Sequence, residues 1–260
     1  MATLFVLVPV FNEEPNIPTL MEAFAQLARE MAPRFDCRFL MVDDGSGDRT
    51  VAVAREGATA AGLPLEVLAH PANRGPGAAF ATGFSHLAPR LADEDWVLTL
   101  EGDNTSRHEL VRQMVTRTAE GFDAVFASPY LYGGGFTQTS LLRKILSSGA
   151  NLIVKDLLDI QGILTVSSFF RLVSARAMKR LQAAFGPGIV EREGFESMVE
   201  MVMKMAMLRI AISEVAMVLD SSRRKGKSKM KLLRTIRGYL VLWRYKDGWV
   251  AKARAAEARA

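Results

Sequence analysis

Residues 38–48 read RFLMVDDGSGD and join an apolar run to a turn rich in helix-capping side chains. The run predicts a strand buried on both faces, Arg38–Val42, and the turn leads into an alanine-rich helix over Thr50–Ala61. The same alternation continues on either side of this segment. Further strands are predicted at Thr3–Val8, Leu65–Ala69, Trp96–Leu100 and Ala124–Ala127. Strands that alternate with helices predict an α/β fold with a mainly parallel central sheet and flanking helices.

Acidic side chains follow three of these strands. They occur in PVFNE at 9–13, in Asp43-Asp44 and in Glu101-Gly102-Asp103. Because ligands of open parallel sheets bind at the carboxyl ends of the strands, we expect these groups at one edge. Clustered carboxylates repel one another unless a cation joins them, and their oxygens suit Mg²⁺ or Mn²⁺ bridged to substrate phosphates. The pattern favours a metal–diphosphate site; alternatively, the acids only cap the helices that follow.

Two other nucleotide-binding patterns are not supported. A dinucleotide site would place G-x-G-x-x-G directly after the first strand, and the segment found there contains no glycine. Gly75-Pro76-Gly77, after the third strand, is a weak signal. Gly226-Lys227-Ser228 resembles the end of a phosphate-binding loop but follows a basic stretch instead of a buried strand. Neither type of site is predicted.

Four motifs carry a family resemblance. They are LVPVFNE at 7–13, MVDDGSGD at 41–48, NRGPG at 73–77 and EGD at 101–103. In this order and spacing they resemble glycosyltransferase family 2, with its GT-A-type nucleotide-diphospho-sugar transferase fold. Later segments, including Ser128-Pro129-Tyr130 and Gly226-Lys227-Ser228-Lys229, resemble its dolichol-phosphate mannosyltransferase branch.

The resemblance implies an inverting hexosyltransferase with a nucleotide-diphospho-sugar donor, a polyprenyl-phosphate-type lipid acceptor and Mg²⁺ or Mn²⁺ as cofactor. By position, Glu101 and Asp103 would bind the metal, with Asp103 as the strongest ligand. Arg223 and Lys229 would hold diphosphate or lipid phosphate and, with Asp103, form the catalytic set. The nucleotide-sugar pocket would be lined by Pro9, Phe11, Glu13, Val42, Asp44, Glu101, Gly102 and Asp103.

Three departures from the family pattern leave alternatives open. Glu101 replaces the first Asp of Asp-x-Asp, Pro129 replaces an arginine after the fifth strand, and Phe169 replaces a glycine. The alternatives are a family 2 transferase with a different lipid or glycan acceptor, and an inactive glycosyltransferase-like binding subunit. A phosphate acceptor needs no strong general base, and we interpret Glu196 and Glu200 as helix-surface acids.

Positive charge is concentrated in one segment of the 260-residue chain. Residues 221–246 hold ten basic and no acidic residues, and the remainder holds 23 basic and 28 acidic residues. We therefore expect a glycosyltransferase domain at 1–220 and a basic amphipathic segment at 221–260. Its apolar stripe predicts contact with an anionic membrane surface or, alternatively, packing on the protein's own core. The stripe consists of Leu232, Leu233, Ile236, Leu240 and Trp243.

Composition also bears on localisation and partners. No segment reaches the roughly 18 consecutive apolar residues of a membrane span, and Met1–Val10 predicts a strand, not a signal peptide. We expect a cytoplasmic protein at the inner face of the membrane. The basic segment has few aromatic residues and no nucleic-acid-binding motif, so no nucleic-acid partner is predicted. The single cysteine, Cys37, excludes an intramolecular disulfide and is expected to be a buried thiol.

Overall fold

The computed structural model describes residues 1–138, 151, 155–156, 160–226 and 232–259. Its strands are β1 (Ala2–Val10), β2 (Phe35–Asp43), β3 (Leu65–Ala69), β4 (Trp96–Thr99), β5 (Ala124–Ser128), β6 (Gly135–Thr137), β7 (Arg171–Ser174), β8 (Ile212–Ala216) and β9 (Val218–Asp220). The main sheet has the order β3-β2-β1-β4-β7-β5-β8, and β6 pairs with β9 in a separate parallel ribbon. Only β7 runs antiparallel to its described neighbours in the main sheet, so the predicted mainly parallel sheet is confirmed.

Helices cover both faces of the sheet. They are α1 (Ile17–Met31), α2 (Thr50–Ala61), α3 (Pro76–Leu87), α4 (Val111–Thr118), α5 (Ala175–Phe185), α6 (Ser197–Met207), α7 (Leu232–Leu242) and α8 (Lys246–Glu257). One core cluster joins the sheet to α1, α2 and α4, and the other joins it to α3, α5, α6 and α8. Along β1, Val6 and Val8 pack in the first cluster and Leu7 in the second. The strand is therefore apolar on both faces, as its sequence predicts.

Cys37 lies in the first of these clusters and is buried. Burial raises the pKa of its thiol to about 11, and the negative charge of Asp36 adds to this shift. The expected buried thiol is therefore present, and at neutral pH it stays protonated.

The basic segment packs on the core instead of standing apart. Tyr239, Leu242, Trp249 and Ala253 are buried and belong to the cluster that contains α3, α5 and α6. Packing on the protein's own core, one of the two alternatives for this segment, is therefore present at these four residues, and the boundary at residue 220 stays a prediction. In the described part of the chain, no helix combines the length and the apolar character that crossing a bilayer requires.

Candidate active site

A cleft of about 1220 Å³ opens at the carboxyl ends of β1, β2 and β4. The parallel register of these strands brings all four sequence motifs to its walls. The predicted residues that line it are Pro9, Phe11, Glu13, Asp44, Glu101, Gly102 and Asp103. Val42 does not reach the cleft, because its side chain is fully buried in the core cluster that contains α3. The nucleotide contact expected of Val42 is therefore not available to its side chain.

The lining of the cleft is predominantly acidic. Among the described residues, its carboxylates are Glu13, Asp44, Glu101, Asp103, Glu191, Glu193 and Glu196, and its guanidinium groups are Arg74, Arg192 and Arg224. This excess of negative charge attracts cations and opposes a bare diphosphate.

Asp103 lies in the loop that follows β4, and both of its carboxylate oxygens are held by contacts. Its Oδ1 accepts hydrogen bonds from the backbone N–H of Thr105 at 3.1 Å and from the Thr105 hydroxyl at 2.5 Å. Its Oδ2 is paired with the guanidinium group of Arg224. The Asp103 side chain is 13% exposed, so an ion can reach it from the cleft.

Glu101 stands beside Asp103 with an unsatisfied oxygen. Its Oε2 is buried and has no hydrogen-bond partner in the described structure. Burial, followed by the negative charge of Asp103, raises the pKa of the Glu101 carboxyl to about 7. A buried acceptor without a donor is a costly arrangement that a bound cation would relieve.

These two carboxylates fit a divalent ion that is shared with a substrate. Mg²⁺ and Mn²⁺ sites often use one or two carboxylates and complete their shell with water and substrate phosphates. The described residues contain no group of three acidic, histidine or cysteine side chains placed to hold a metal. Glu101 and Asp103 therefore fit an ion whose remaining ligands come from the diphosphate and water.

Asp103 is paired with Arg224, the residue after the Arg223 that the resemblance assigns to phosphate binding. Arg224 lines the cleft, whereas Arg223 does not and belongs to the short turn Ser221–Arg223. Asp220 caps this turn by accepting a hydrogen bond from the backbone N–H of Ser222. Phosphate binding by Arg223 stays a prediction, and Lys229 lies outside the described residues.

Asp44 organises the first wall of the cleft, which is the glycine-rich turn at residues 73–77 that follows β3. Its carboxylate accepts hydrogen bonds from the backbone N–H groups of Arg74 at 3.0 Å and Gly75 at 2.7 Å. The side-chain amide of Asn73 donates to it at 2.8 Å, and Nδ1 of His70 lies 2.8 Å away. The carboxylate predicted to line the nucleotide-sugar pocket therefore holds one wall of the cleft in place.

A second wall, residues 191–196, was not predicted. Glu200 on α6 accepts hydrogen bonds at 2.8 Å from the backbone N–H groups of both Glu191 and Arg192. Glu200 is fully buried and pairs with the equally buried Lys204 at 2.5 Å. Its interpretation as a helix-surface acid is therefore wrong, whereas Glu196 does line the cleft.

The two walls meet at the glycine-rich turn. The backbone N–H of Gly77 donates to the carbonyl oxygen of Glu193 at 2.8 Å, and Arg74 pairs with the Glu193 carboxylate at 3.0 Å. A Cβ atom at position 77 would lie 2.0 Å from the carbonyl oxygen of Arg192. Glycine is therefore required there by the close approach of the second wall.

The remaining departures from the family pattern also face the cleft. Pro129 lines it without offering a charge, and Phe169 lines it as part of an aromatic group. The Phe169 ring stacks on Phe195 with centroids 5.6 Å apart and meets Phe80 edge-on at 5.1 Å. Where the resemblance expects a glycine, this protein thus has an apolar surface.

Comparisons with known proteins agree with this geometry. Residues 5–182 match the family described as Glycosyl transferase family 2. The chain is 29% identical over 150 residues to an undecaprenyl-phosphate 4-deoxy-4-formamido-L-arabinose transferase of Pectobacterium carotovorum, covering 58% of this chain and 42% of that protein. The protein of the same name from Pseudomonas paraeruginosa is 31% identical over 120 residues, which cover 46% of this chain and 33% of that one. The matched region spans less than half the length of these relatives.

Solved structures share the fold. Glucosyl-3-phosphoglycerate synthase from Mycobacterium tuberculosis, in complex with Mn²⁺, UDP and glucosyl-3-phosphoglycerate, aligns with a TM-score of 0.62 and 17% identity over 93% of this chain and 80% of that one. Its complex with Mn²⁺ and UDP-glucose aligns with a TM-score of 0.61 and 16% identity over 93% and 79% of the two chains. Because the family match covers more than half of the sequence and the architecture agrees, this chain belongs to glycosyl transferase family 2 and has the GT-A fold.

Proposed function

We propose that this protein transfers a hexose from a nucleotide-diphospho-sugar to a polyprenyl-phosphate acceptor, with inversion at the anomeric carbon. The observation that carries the proposal is the pair Glu101 and Asp103, placed side by side in a cleft with Arg74 and Arg224. The names of the relatives, undecaprenyl-phosphate sugar transferases, support a polyprenyl-phosphate acceptor.

The residues of the cleft suit the departure of a nucleoside diphosphate. Glu101 and Asp103 would hold Mg²⁺ or Mn²⁺, which would neutralise negative charge that grows on the leaving diphosphate. Arg74 and Arg224 would add cationic hydrogen-bond donors to the same group. Pro9 and Phe11 lie at the end of β1, where they would contact the nucleotide.

The acceptor phosphate can act as the nucleophile without a strong base. A phosphate monoester is mostly ionised near neutral pH, because its second pKa is about 6. Its oxygen forms the new bond to the anomeric carbon while the bond from that carbon to the diphosphate oxygen breaks. The electron pair of the broken bond leaves with the nucleoside diphosphate, and direct displacement inverts the anomeric centre.

The outer face of α7 would bring this cleft to a membrane. Leu240 is 55% exposed and Trp243 is 61% exposed, and Arg237 and Arg244 are exposed near them. An apolar and basic helix face of this kind binds the headgroup region of anionic bilayers. Its opposite face lines the cleft through Gly238, so the acceptor headgroup would lie close to the site. We therefore propose that the protein works at the inner face of the cytoplasmic membrane through residues 221–260.

A different acceptor is a second candidate, favoured by one observation. Pro129 and Phe169 give part of the cleft a neutral, apolar lining where the resemblance expects an arginine and a glycine. A lipid or glycan acceptor without a phosphate group would bind this neutral, apolar lining better than it would bind a lining that contains an arginine.

Turnover with defined substrates tests the proposal. The full chain is incubated with Mn²⁺, polyprenyl phosphate and UDP-, GDP- or dTDP-hexoses in turn, and glycolipid is measured. We expect product, and Asp103→Asn should lower kcat by at least about 10²-fold. The matched control Asp36→Asn changes a half-exposed carboxylate of β2 and should leave kcat unchanged.

The other outcomes separate the alternatives. Product formed with a different acceptor alone would support the second candidate. Nucleotide binding without turnover on a broad acceptor panel would overturn the proposal in favour of an inactive binding subunit.

A further inference from the structure

We infer that Arg224 is a built-in counterion that occupies Asp103 in the metal-free protein and exchanges it for the diphosphate when metal and nucleotide bind. The inference rests on the proposed function and assigns Arg224 as a residue that couples the two ligands. Its consequence is that the divalent ion binds weakly alone and more tightly with nucleotide.

The contact between the two residues is direct and partly sheltered. Nε of Arg224 lies 2.5 Å from Oδ2 of Asp103, and Nη2 contacts the same oxygen. The side chain of Arg224 is 20% exposed and that of Asp103 is 13% exposed. Two donors on one oxygen of a sheltered carboxylate make a charge-assisted contact that an incoming cation has to displace.

The chain around Arg224 is fixed by a buried amide. Asn16 is 1% exposed, and its side chain accepts a hydrogen bond from the backbone N–H of Lys225 at 2.8 Å. The same side chain donates to the Lys225 carbonyl oxygen at 3.1 Å and to Oε2 of Glu13 at 2.5 Å. The side-chain amide of Asn104, the residue after Asp103, donates to the Asn16 carbonyl oxygen at 2.9 Å. Asn16 thus joins the segment that carries Arg224 to the loop that carries Asp103.

The charges explain why Arg224 would change partners. In the metal-free protein, Asp103 and Glu101 stand side by side in an acidic cleft, and Arg224 provides a positive charge in direct contact with Asp103. A divalent ion bound to Asp103 neutralises the carboxylate and repels the guanidinium group, so the contact between Arg224 and Asp103 is lost. The diphosphate that accompanies the ion offers Arg224 a doubly hydrogen-bonding anion in the same cleft. Metal and nucleotide therefore assist each other's binding, and the coupling is reciprocal.

Mn²⁺ binding to Arg224→Met tests this inference without any turnover. Free Mn²⁺ is followed by electron paramagnetic resonance, first with the metal alone and then with UDP, GDP or dTDP. For Mn²⁺ alone, we expect the Kd of the variant to be about tenfold lower than that of the wild type, because no competing cation has to leave Asp103. The ratio of the Kd without nucleotide to the Kd with nucleotide should fall by about tenfold or more.

Matched variants identify the cause of the change. Lys225→Met removes one positive charge from the adjacent, exposed side chain and should leave both Kd values within about twofold. Arg224→Lys keeps the charge but loses the two-donor geometry, so its Kd for Mn²⁺ alone should fall between those of the wild type and Arg224→Met. Circular dichroism checks that each variant is folded.

The outcomes separate this inference from the proposed function. If the wild type binds nucleotide with Mn²⁺ and Arg224→Met has unchanged or weaker affinity for Mn²⁺ alone, the counterion role is refuted and the proposed function stands. If Arg224→Met gains affinity for Mn²⁺ but the wild type takes up none of the nucleotides, Arg224 competes with metal for Asp103, whereas its exchange to a diphosphate and the proposed function are both refuted. If neither protein binds Mn²⁺ under any condition, both are overturned.

Discussion

Asp44 and Glu200 perform the same structural task in two neighbouring walls of the cleft. Each is a buried carboxylate that accepts hydrogen bonds from two consecutive backbone N–H groups, those of 74–75 and of 191–192. They differ in what balances their charge. Asp44 faces an amide and an imidazole, whereas Glu200 faces the fully buried ammonium group of Lys204.

This difference indicates which parts of the chain each wall depends on. The partners of the Asp44 carboxylate lie 26–31 residues further along the chain, in the turn that follows the neighbouring strand β3. Glu200 depends on a buried ion pair inside α6, and Lys204 also lies 4.6 Å from the ring centre of Trp249 on α8. The first wall therefore depends on the pairing of β2 with β3, and the second wall depends on helix packing that includes α8.

A mutation that disturbs the second wall should destabilise the protein more than one that disturbs the first wall. Lys204→Met leaves the Glu200 carboxylate buried without its cation, which we expect to lower the free energy of unfolding by about 3–5 kcal/mol. Urea denaturation followed by circular dichroism measures the change. The control Lys252→Met removes an ammonium group that contacts Glu191 at 3.3 Å with half of its side chain exposed. That control should change stability by less than about 1 kcal/mol, and a similar loss in both variants would contradict the comparison.

A mutation in the first wall should lower the free energy of unfolding by a smaller amount. Asp44→Asn replaces one accepting oxygen by a donor, so at least one of its N–H partners is left unpaired. We expect a loss of about 1–3 kcal/mol. Hydrogen exchange should accelerate at the amides of Arg74 and Gly75 before those of Glu191 and Arg192. Equal acceleration at all four amides would show that the two walls open as one unit.

The position of the acidic residues at the sheet edge could be predicted, because it follows from the order of strands and turns in the sequence. Strand ends and turn residues placed Asp44, Glu101 and Asp103 at one sheet edge, and parallel pairing was enough to bring them together. Val42 was misplaced because a strand-end position does not reveal which way the side chain points. The sequence also does not distinguish the two adjacent arginines, of which Arg224 lines the cleft and Arg223 belongs to a capped turn.

The second wall could not be predicted, because the spacing of Glu200 and Lys204 is compatible with an exposed ion pair as well as a buried one. Glu200 and Lys204 are four residues apart on a helix, a spacing typical of exposed ion pairs. The methionine-rich sequence around them marks α6 as a core helix and was the available clue to burial. The packing of residues 239–253 on the same core was equally hidden, because a basic amphipathic helix can face a membrane or its own protein.

The smallest expected effect is a gain of stability within α8, which supports the second wall. A Cβ atom at Gly248 would meet nothing within 4 Å, and the residue lies inside the helix next to the buried Trp249. Gly248→Ala should therefore raise the free energy of unfolding by about 0.5–1 kcal/mol, because alanine loses less backbone entropy in a helix.

The control Gly62→Ala has equally open space but a φ of +63° at the end of α2, so it should destabilise the protein. If the gain from Gly248→Ala differs between the wild type and Lys204→Met, α8 and the second wall are coupled, whereas equal gains would show that they are independent. No gain at all would mean that α8 frays independently of the second wall.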